Sequence, residues 1–124
     1  MAKHNTLGKN GELLALNFLT SNGYTILEKN YRYLKAEIDL IAFKENQLIF
    51  VEVKTRSTDY FGEPAEAVTR KKQRLMADAA DYYVVQNQLP YEVRYDIISI
   101  VKNNNTETIH HIRDAFYPFA SDLE

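Results

Sequence analysis

The sequence predicts a mixed α/β fold with its elements in the order αβββαββ. Three observations lead there. Two segments carry apolar residues at helical spacing, and two runs rich in Ile, Val and Phe flank a two-residue turn. The second helical segment then feeds two further strand-like runs. A hairpin meander followed by a helical crossover into another strand implies a mixed sheet with helices against its faces.

Residues 7–22 read as the first helix: Leu14 and Phe18, then Ala15 and Leu19, recur at helical spacing, and Asn22-Gly23 supplies a stop. Gly8 and Gly11 weaken it slightly, and would let another backbone or a ligand come close. Strand-like runs follow at residues 24–32, 37–44 and 48–55, and Glu45-Asn46 suits a hairpin turn between the last two. Those two runs have apolar residues on both faces (Ile38, Leu40 and Ala42, then Ile41 and Phe43), so they belong inside a sheet covered on both sides. After a loop around residues 60–64, a second helix spans 69–86, with Val68, Leu75, Met76, Ala79 and Tyr83 as its buried stripe. Pro90 ends that region. Residues 93–102 and 106–113 read as the last strands, joined by a tight turn at Asn103-Asn104-Asn105.

At 124 residues the chain suits a single domain, 1–124, able to bury a core without staples. Hydrophobic residues at 45% and charged ones at 26% set aside disordered and fibrous classes. With no cysteine there is no disulfide scaffold, iron–sulfur site or thiolate zinc site, and a reducing, cytoplasmic setting is expected. No segment approaches the roughly 20 apolar residues of a membrane span, and the polar residues 1–10 do not read as a signal peptide. The net charge of -2 argues mildly against an indiscriminate nucleic-acid binder.

The informative feature lies in the two central strands. With Glu45-Asn46 as the turn, Asp39 falls opposite Glu52 and Glu37 opposite Lys54, and strand alternation puts all four on one face. One lysine does not neutralise three acids, and burying them unpaired costs several kcal/mol each. A plain cross-strand ion-pair cluster at a sheet edge is one reading. A divalent-cation site is the other, and oxygen ligands without His or Cys favour Mg²⁺ or Mn²⁺. Lys54, on the same face, would then orient a water or stabilise developing negative charge.

The second helix carries its own anomaly. With Thr69 as N-cap, Arg70, Lys71 and Lys72 occupy the first turn, where cations oppose the macrodipole. Lys72 also falls near the centre of the apolar stripe. Either these side chains snorkel to solvent, or they converge on a phosphate. Gln73, at the edge of the stripe, could point toward the sheet. Taken alone, Glu12 reads as a solvent-facing helix residue and His110-His111 as structural. Asp96, inside an apolar strand, fits a buried pairing with an arginine as well as it fits catalysis. No Gly-rich phosphate loop, HExxH motif or Cys nucleophile is present.

Glu37-Ile38-Asp39-Leu40-Ile41 followed by Phe50-Val51-Glu52-Val53-Lys54-Thr55-Arg56 resembles the core of the YraN-like family of small bacterial proteins. The likeness extends through Gly8, Gly11-Glu12 and Ala15, Asn30-Tyr31-Arg32, Phe61-Gly62, Ala65-Glu66-Ala67-Val68, Lys72-Gln73 and Arg94-Tyr95-Asp96. Ala36 stands where that family usually has Gly, and Tyr95 where Phe is common. The family is grouped with restriction-endonuclease-like nucleases, near archaeal Holliday-junction resolvases. The resemblance therefore implies a restriction-endonuclease-like fold and a metal-dependent phosphodiesterase site. Glu12, Asp39 and Glu52 would be metal ligands, Lys54 the catalytic lysine, and Gln73 a supporting residue on the second helix.

The expectation is a cytoplasmic, Mg²⁺- or Mn²⁺-dependent DNA endonuclease, with branched or single-stranded DNA as the candidate substrates. Asp39 and Glu52 would hold the ion against a scissile phosphate, with Glu12 assisting. Arg56, Arg70, Lys71, Lys72 and Arg74 would track neighbouring phosphates, adding affinity but little sequence reading. Resolvase-like enzymes often act as dimers, so a homodimer is compatible with the resemblance, although no dedicated interface pattern stands out. The main rival is a non-catalytic module of the same fold that binds nucleic acid or a protein. A structural or assembly protein is the third reading.

Overall fold

The computed structural model describes residues 3–57, 68–103 and 105–118, with side chains from Asn10 onward. The expected loop at 60–64 lies outside the described residues, as does Asn104 of the asparagine run. The elements are α1 (Lys3–Ser21), β1 (Thr25–Tyr33), β2 (Ala36–Lys44), β3 (Gln47–Arg56), α2 (Arg70–Gln86), β4 (Glu92–Asn103) and β5 (Thr106–Ile112), in the predicted order. Helix α1 begins four residues earlier than its apolar pattern does, because a polar first turn has no periodicity to detect.

The strands form one sheet in the order β1-β2-β3-β4-β5. Hairpin connections make their neighbours antiparallel, while the crossover through α2 makes β3 and β4 parallel. The two helices cover opposite faces. On one, α1 packs Ala15 and Leu19 against Leu40, Ile49, Val51 and Ile98. On the other, α2 packs Met76, Ala79 and Tyr83 against Ile38, Ile41, Phe50 and Ile97. The central strands are therefore covered on both sides, as their composition requires. Among the described residues no helix is long and apolar enough to cross a membrane.

Glu45 and Asn46 both have positive φ, 51° and 63°, the signature of a two-residue type I′ hairpin. That turn sets the anticipated register, from Lys44↔Gln47 to Leu40↔Val51. There the ladder stops. The expected pairs Asp39 with Glu52 and Glu37 with Lys54 do not form. Asp39 Oδ2 instead accepts a hydrogen bond from the Val53 N–H at 2.8 Å, and Glu37 pairs with Arg32 of β1 at 3.4 Å.

The expectation that Ile38, Leu40 and Ala42 share a face is also corrected. Ile38 packs on the α2 side, and Leu40 and Ala42 on the α1 side. Across β1, the ladder likewise skips Asn30 and Asp39 between Lys29↔Leu40 and Tyr31↔Ile38. Asn30 sits at φ 52°, a left-handed conformation that asparagine tolerates and that interrupts the pleat. Alternation therefore breaks at Asp39, whose carboxylate bonds across the strand gap instead of standing on either face. Ala36 opens β2 without a positive φ, so a side chain stands there without strain.

Candidate functional site

The place where β2 and β3 part is where the charged residues gather. Glu52 is 2% exposed, yet its Oε2 carries two cations: Lys72, from the first turn of α2, is hydrogen-bonded to it, and Lys54 Nζ lies 3.4 Å away. Its Oε1 is the one buried side-chain polar atom among the described residues with no hydrogen-bond partner. Such an atom forfeits its hydration without replacement, which costs about 1–3 kcal/mol or more for a charged group.

Helix α1 brings in the third acid. Gly11 makes this possible, because a Cβ there would lie 1.9 Å from Thr55 Oγ1 and 3.1 Å from Thr55 Cβ. The absence of a side chain lets α1 lie directly on β3, with Glu12 at the mouth of the strand gap and hydrogen-bonded to Asn30. The closeness anticipated for Gly11 is thus a helix-on-strand contact. Asn30 and Thr55 were not recognisable as site residues in advance. An asparagine inside a strand-like run was the available signal for the first, and both stand among the residues that carry the family resemblance.

The acids perturb one another. Burial, then the neighbouring Glu52 and Glu12, push the Asp39 carboxyl up from 3.8 to about 7, against the opposing effects of the Val53 N–H and Lys72. Glu12 is also raised, by burial and by Glu37 and Glu52, with the Asn30 hydrogen bond working the other way. A carboxyl poised near neutrality beside a second, buried carboxylate is a common property of functional sites.

The remaining predicted residues are distributed around this centre. Thr69 caps α2, accepting from the Lys72 N–H at 3.1 Å. Gln73 does not reach into the gap: its Nε2 donates to the Val68 carbonyl at 3.1 Å and ties down the helix start. Lys35, Glu37, Asp39, Thr69, Lys71 and Lys72 share one open cleft. Arg70 and Arg74 are exposed on α2, and Arg56 is half-buried at the end of β3. Lys72, like Lys54, turns its charge inward, toward Glu52.

Among the described residues no three His, Asp or Glu side chains are grouped closely enough to hold one ion by themselves. The donors that are present still fit a hard cation of the Mg²⁺ type. Such an ion needs only one or two protein carboxylates and fills its shell with waters and substrate phosphate oxygens. Asp39 and Glu52, the latter with its unpartnered Oε1, supply that donor set, and Glu12 lies within electrostatic reach of both acids.

Asp96 belongs to a separate structural cluster. Fully buried, it takes a two-pronged hydrogen bond from Arg94 (2.9 and 2.8 Å), another contact from His111 Nε2 at 2.7 Å and the Asp114 N–H at 2.9 Å. Burial alone would raise its carboxyl, but His111, Arg94 and the Asp114 N–H together hold it below the ordinary value. Arg94 also reaches Gln47 and Tyr24, so the cluster joins β3, β4 and β5 to the residue that precedes β1.

A five-stranded mixed sheet between two helices, with acids and lysines where two strands part, defines an α/β protein of nuclease-like fold. The family model described as "Uncharacterised protein family UPF0102" matches residues 11–100. A UPF0102 protein of Christiangramia forsetii is 51% identical over 119 residues, covering 96% of this chain and 100% of the relative. One from Flavobacterium psychrophilum is 50% identical over 119 residues with the same coverage. Another, from Bacteroides thetaiotaomicron, is 46% identical over 118 residues, covering 95% of this chain and 98% of the relative. The chain belongs to the UPF0102 family, the YraN group that its motifs resemble.

Proposed function

We propose that the protein is a cytoplasmic, Mg²⁺- or Mn²⁺-dependent DNA endonuclease that hydrolyses phosphodiester bonds. The observation carrying this reading is the buried Glu52, with its unpartnered Oε1, within electrostatic reach of Asp39, which itself lines a cleft with Lys35, Lys71 and Lys72. A cation held by Asp39 and Glu52 would polarise the scissile phosphate and stabilise its developing charge. Lys54, 31% exposed and 3.4 Å from Glu52, has an ammonium able to orient an attacking water at the same edge. Glu12 adds negative potential from the other side of the gap. Lys71 in the cleft, with Arg70 and Arg74 along α2 and Arg56 on β3, would hold flanking phosphates, making affinity fall steeply with salt. Gln73 supports the arrangement by fixing the start of α2.

The test is cleavage of branched, single-stranded and duplex DNA with Mn²⁺. Wild-type protein should cut at least one of these substrates and Asp39→Ala none. Equal inertness of both proteins on all three would remove the support for catalysis.

The Lys72–Glu52 ion pair favours the second reading, a non-catalytic nucleic-acid-binding module, because it satisfies part of the site without an ion. Calorimetric titration with Mn²⁺ discriminates between them. The nuclease reading expects a site that Glu52→Ala weakens; a binding module expects no difference. Size measurements with and without DNA would decide whether a homodimer forms.

A further inference from the structure

We infer that Lys72 is an internal counter-cation for Glu52, whose charge a divalent ion must displace on binding. The inference rests on the metal-dependent reading above and adds a means of control to it.

Glu52 is carried into the interior by β3, whose neighbours Val51 and Phe50 are fully buried on opposite faces. A carboxylate there must be matched by positive charge if the chain is to fold without metal. Lys72 supplies that charge from α2. Its position is set locally, because the Thr69 hydroxyl caps its backbone N–H and fixes the first turn from which the side chain leaves. A cation at this point opposes the helix macrodipole, so helix stability does not account for it. Contact with Glu52 does.

The contact is also asymmetric. Lys72 and Lys54 both bear on Oε2, and Oε1 faces no partner. A divalent ion reaching Asp39 and Glu52 would meet two ammonium groups of its own sign on the same carboxylate. Like charges a few ångströms apart in a partly buried site repel by far more than they do in water. Lys72 side-chain exposure is 37%, and the residue lines the open cleft, so its ammonium can move away without unfolding α2. Lys54 is the more enclosed of the two, at 31%. The acid pair is therefore neutralised at low metal, and the ion binds at the cost of releasing Lys72.

Mn²⁺ titration calorimetry and thermal melts, on wild type, Lys72→Gln and Lys72→Arg in one buffer, test this directly. Lys72→Gln should bind Mn²⁺ at least about tenfold more tightly than wild type. It should melt lower in chelator and gain more from Mn²⁺, while Lys72→Arg, which keeps the charge, stays near wild type. Equal or weaker Mn²⁺ binding by Lys72→Gln would overturn the inference and leave the metal site standing. Absence of Mn²⁺ binding in all three proteins would overturn both. Should Lys72→Gln not fold without metal, nitrogen-detected NMR of the wild-type lysine side chains takes its place. Mg²⁺ should then abolish the slowed exchange of the Lys72 ammonium protons, and an unchanged signal would refute the inference.

Discussion

Asp39 Oδ2 accepts the Val53 N–H at 2.8 Å at the point where the β2–β3 ladder ends. One side chain thus replaces a missing main-chain bond, props the two strands apart and holds a carboxylate in the gap. It also leaves that carboxylate next to Glu52, at an electrostatic cost that only a cation or a proton relieves.

That cost sets a pH dependence. Asp39 has a folded value of about 7 against an ordinary 3.8, so between those values the native state holds a proton that the unfolded chain has released. Its contribution to stability is complete below about 3.8 and is lost as pH rises through about 7. Asp39→Asn keeps an acceptor for Val53 but has no charge. In denaturant titrations across this range, the variant should lack that share of the decline and be more stable than wild type by roughly 1–3 kcal/mol above neutrality. The same variant should lose the stabilisation by Mn²⁺ that the wild type shows.

Gly11 and Thr55 should behave as a coupled pair. Gly11→Ala places a methyl 1.9 Å from Thr55 Oγ1, so the Thr55 side chain must turn or helix and strand must separate. We expect a loss of roughly 1–3 kcal/mol, the usual cost of overpacking, together with weaker Mn²⁺ binding as Glu12 shifts. Trimming the partner in Gly11→Ala/Thr55→Ala should recover much of the stability. A double-mutant cycle with strong non-additivity is the expected result; simple additivity would mean the contact is not the cause.

The Asp96 cluster should respond in the opposite way to the site. Arg94→Met leaves a buried carboxylate short of its main partner and should cost roughly 3–5 kcal/mol in chemical denaturation, with Mn²⁺ affinity in the folded fraction unchanged. Because the Asp96 value is lowered, its contribution is present above about 3.8 and lost as pH falls through the lower folded value. Wild type should therefore lose this support in strong acid, and Arg94→Met should lose less there.

The β2–β3 turn offers a gain. Glu45 and Asn46 both occupy left-handed backbone, where Asn-Gly is the more favourable pair. Glu45→Asn/Asn46→Gly should raise stability by roughly 0.5–1 kcal/mol without altering Mn²⁺ binding. Melting temperature and calorimetry on the same preparation check both halves of the statement.

The order of the seven elements, the two-sided burial of the central strands, the Thr69 cap and the register of the hairpin were all legible in the sequence. Each depends on spacing between near neighbours, such as the two-residue turn at Glu45-Asn46 or the stripe through Met76, Ala79 and Tyr83. Those local patterns survive into the folded state because the apolar residues forming them must be buried together.

The site was legible in composition and only partly in geometry. Period-two alternation placed Glu37, Asp39, Glu52 and Lys54 on one face, and a single break in that alternation, at Asn30 and Asp39, undid the pairing. The one local mark of such a break is an asparagine inside a strand-like run, because it arises from a left-handed Asn30 on one strand and a side-chain-to-backbone bond from Asp39 on another. Lys72 stood out in the sequence as a cation inside an apolar stripe. Whether it turned outward to a phosphate or inward to Glu52 depended on where α2 came to rest against β3. Contacts between residues far apart in the chain fix that position, and the charge balance of the site follows from it.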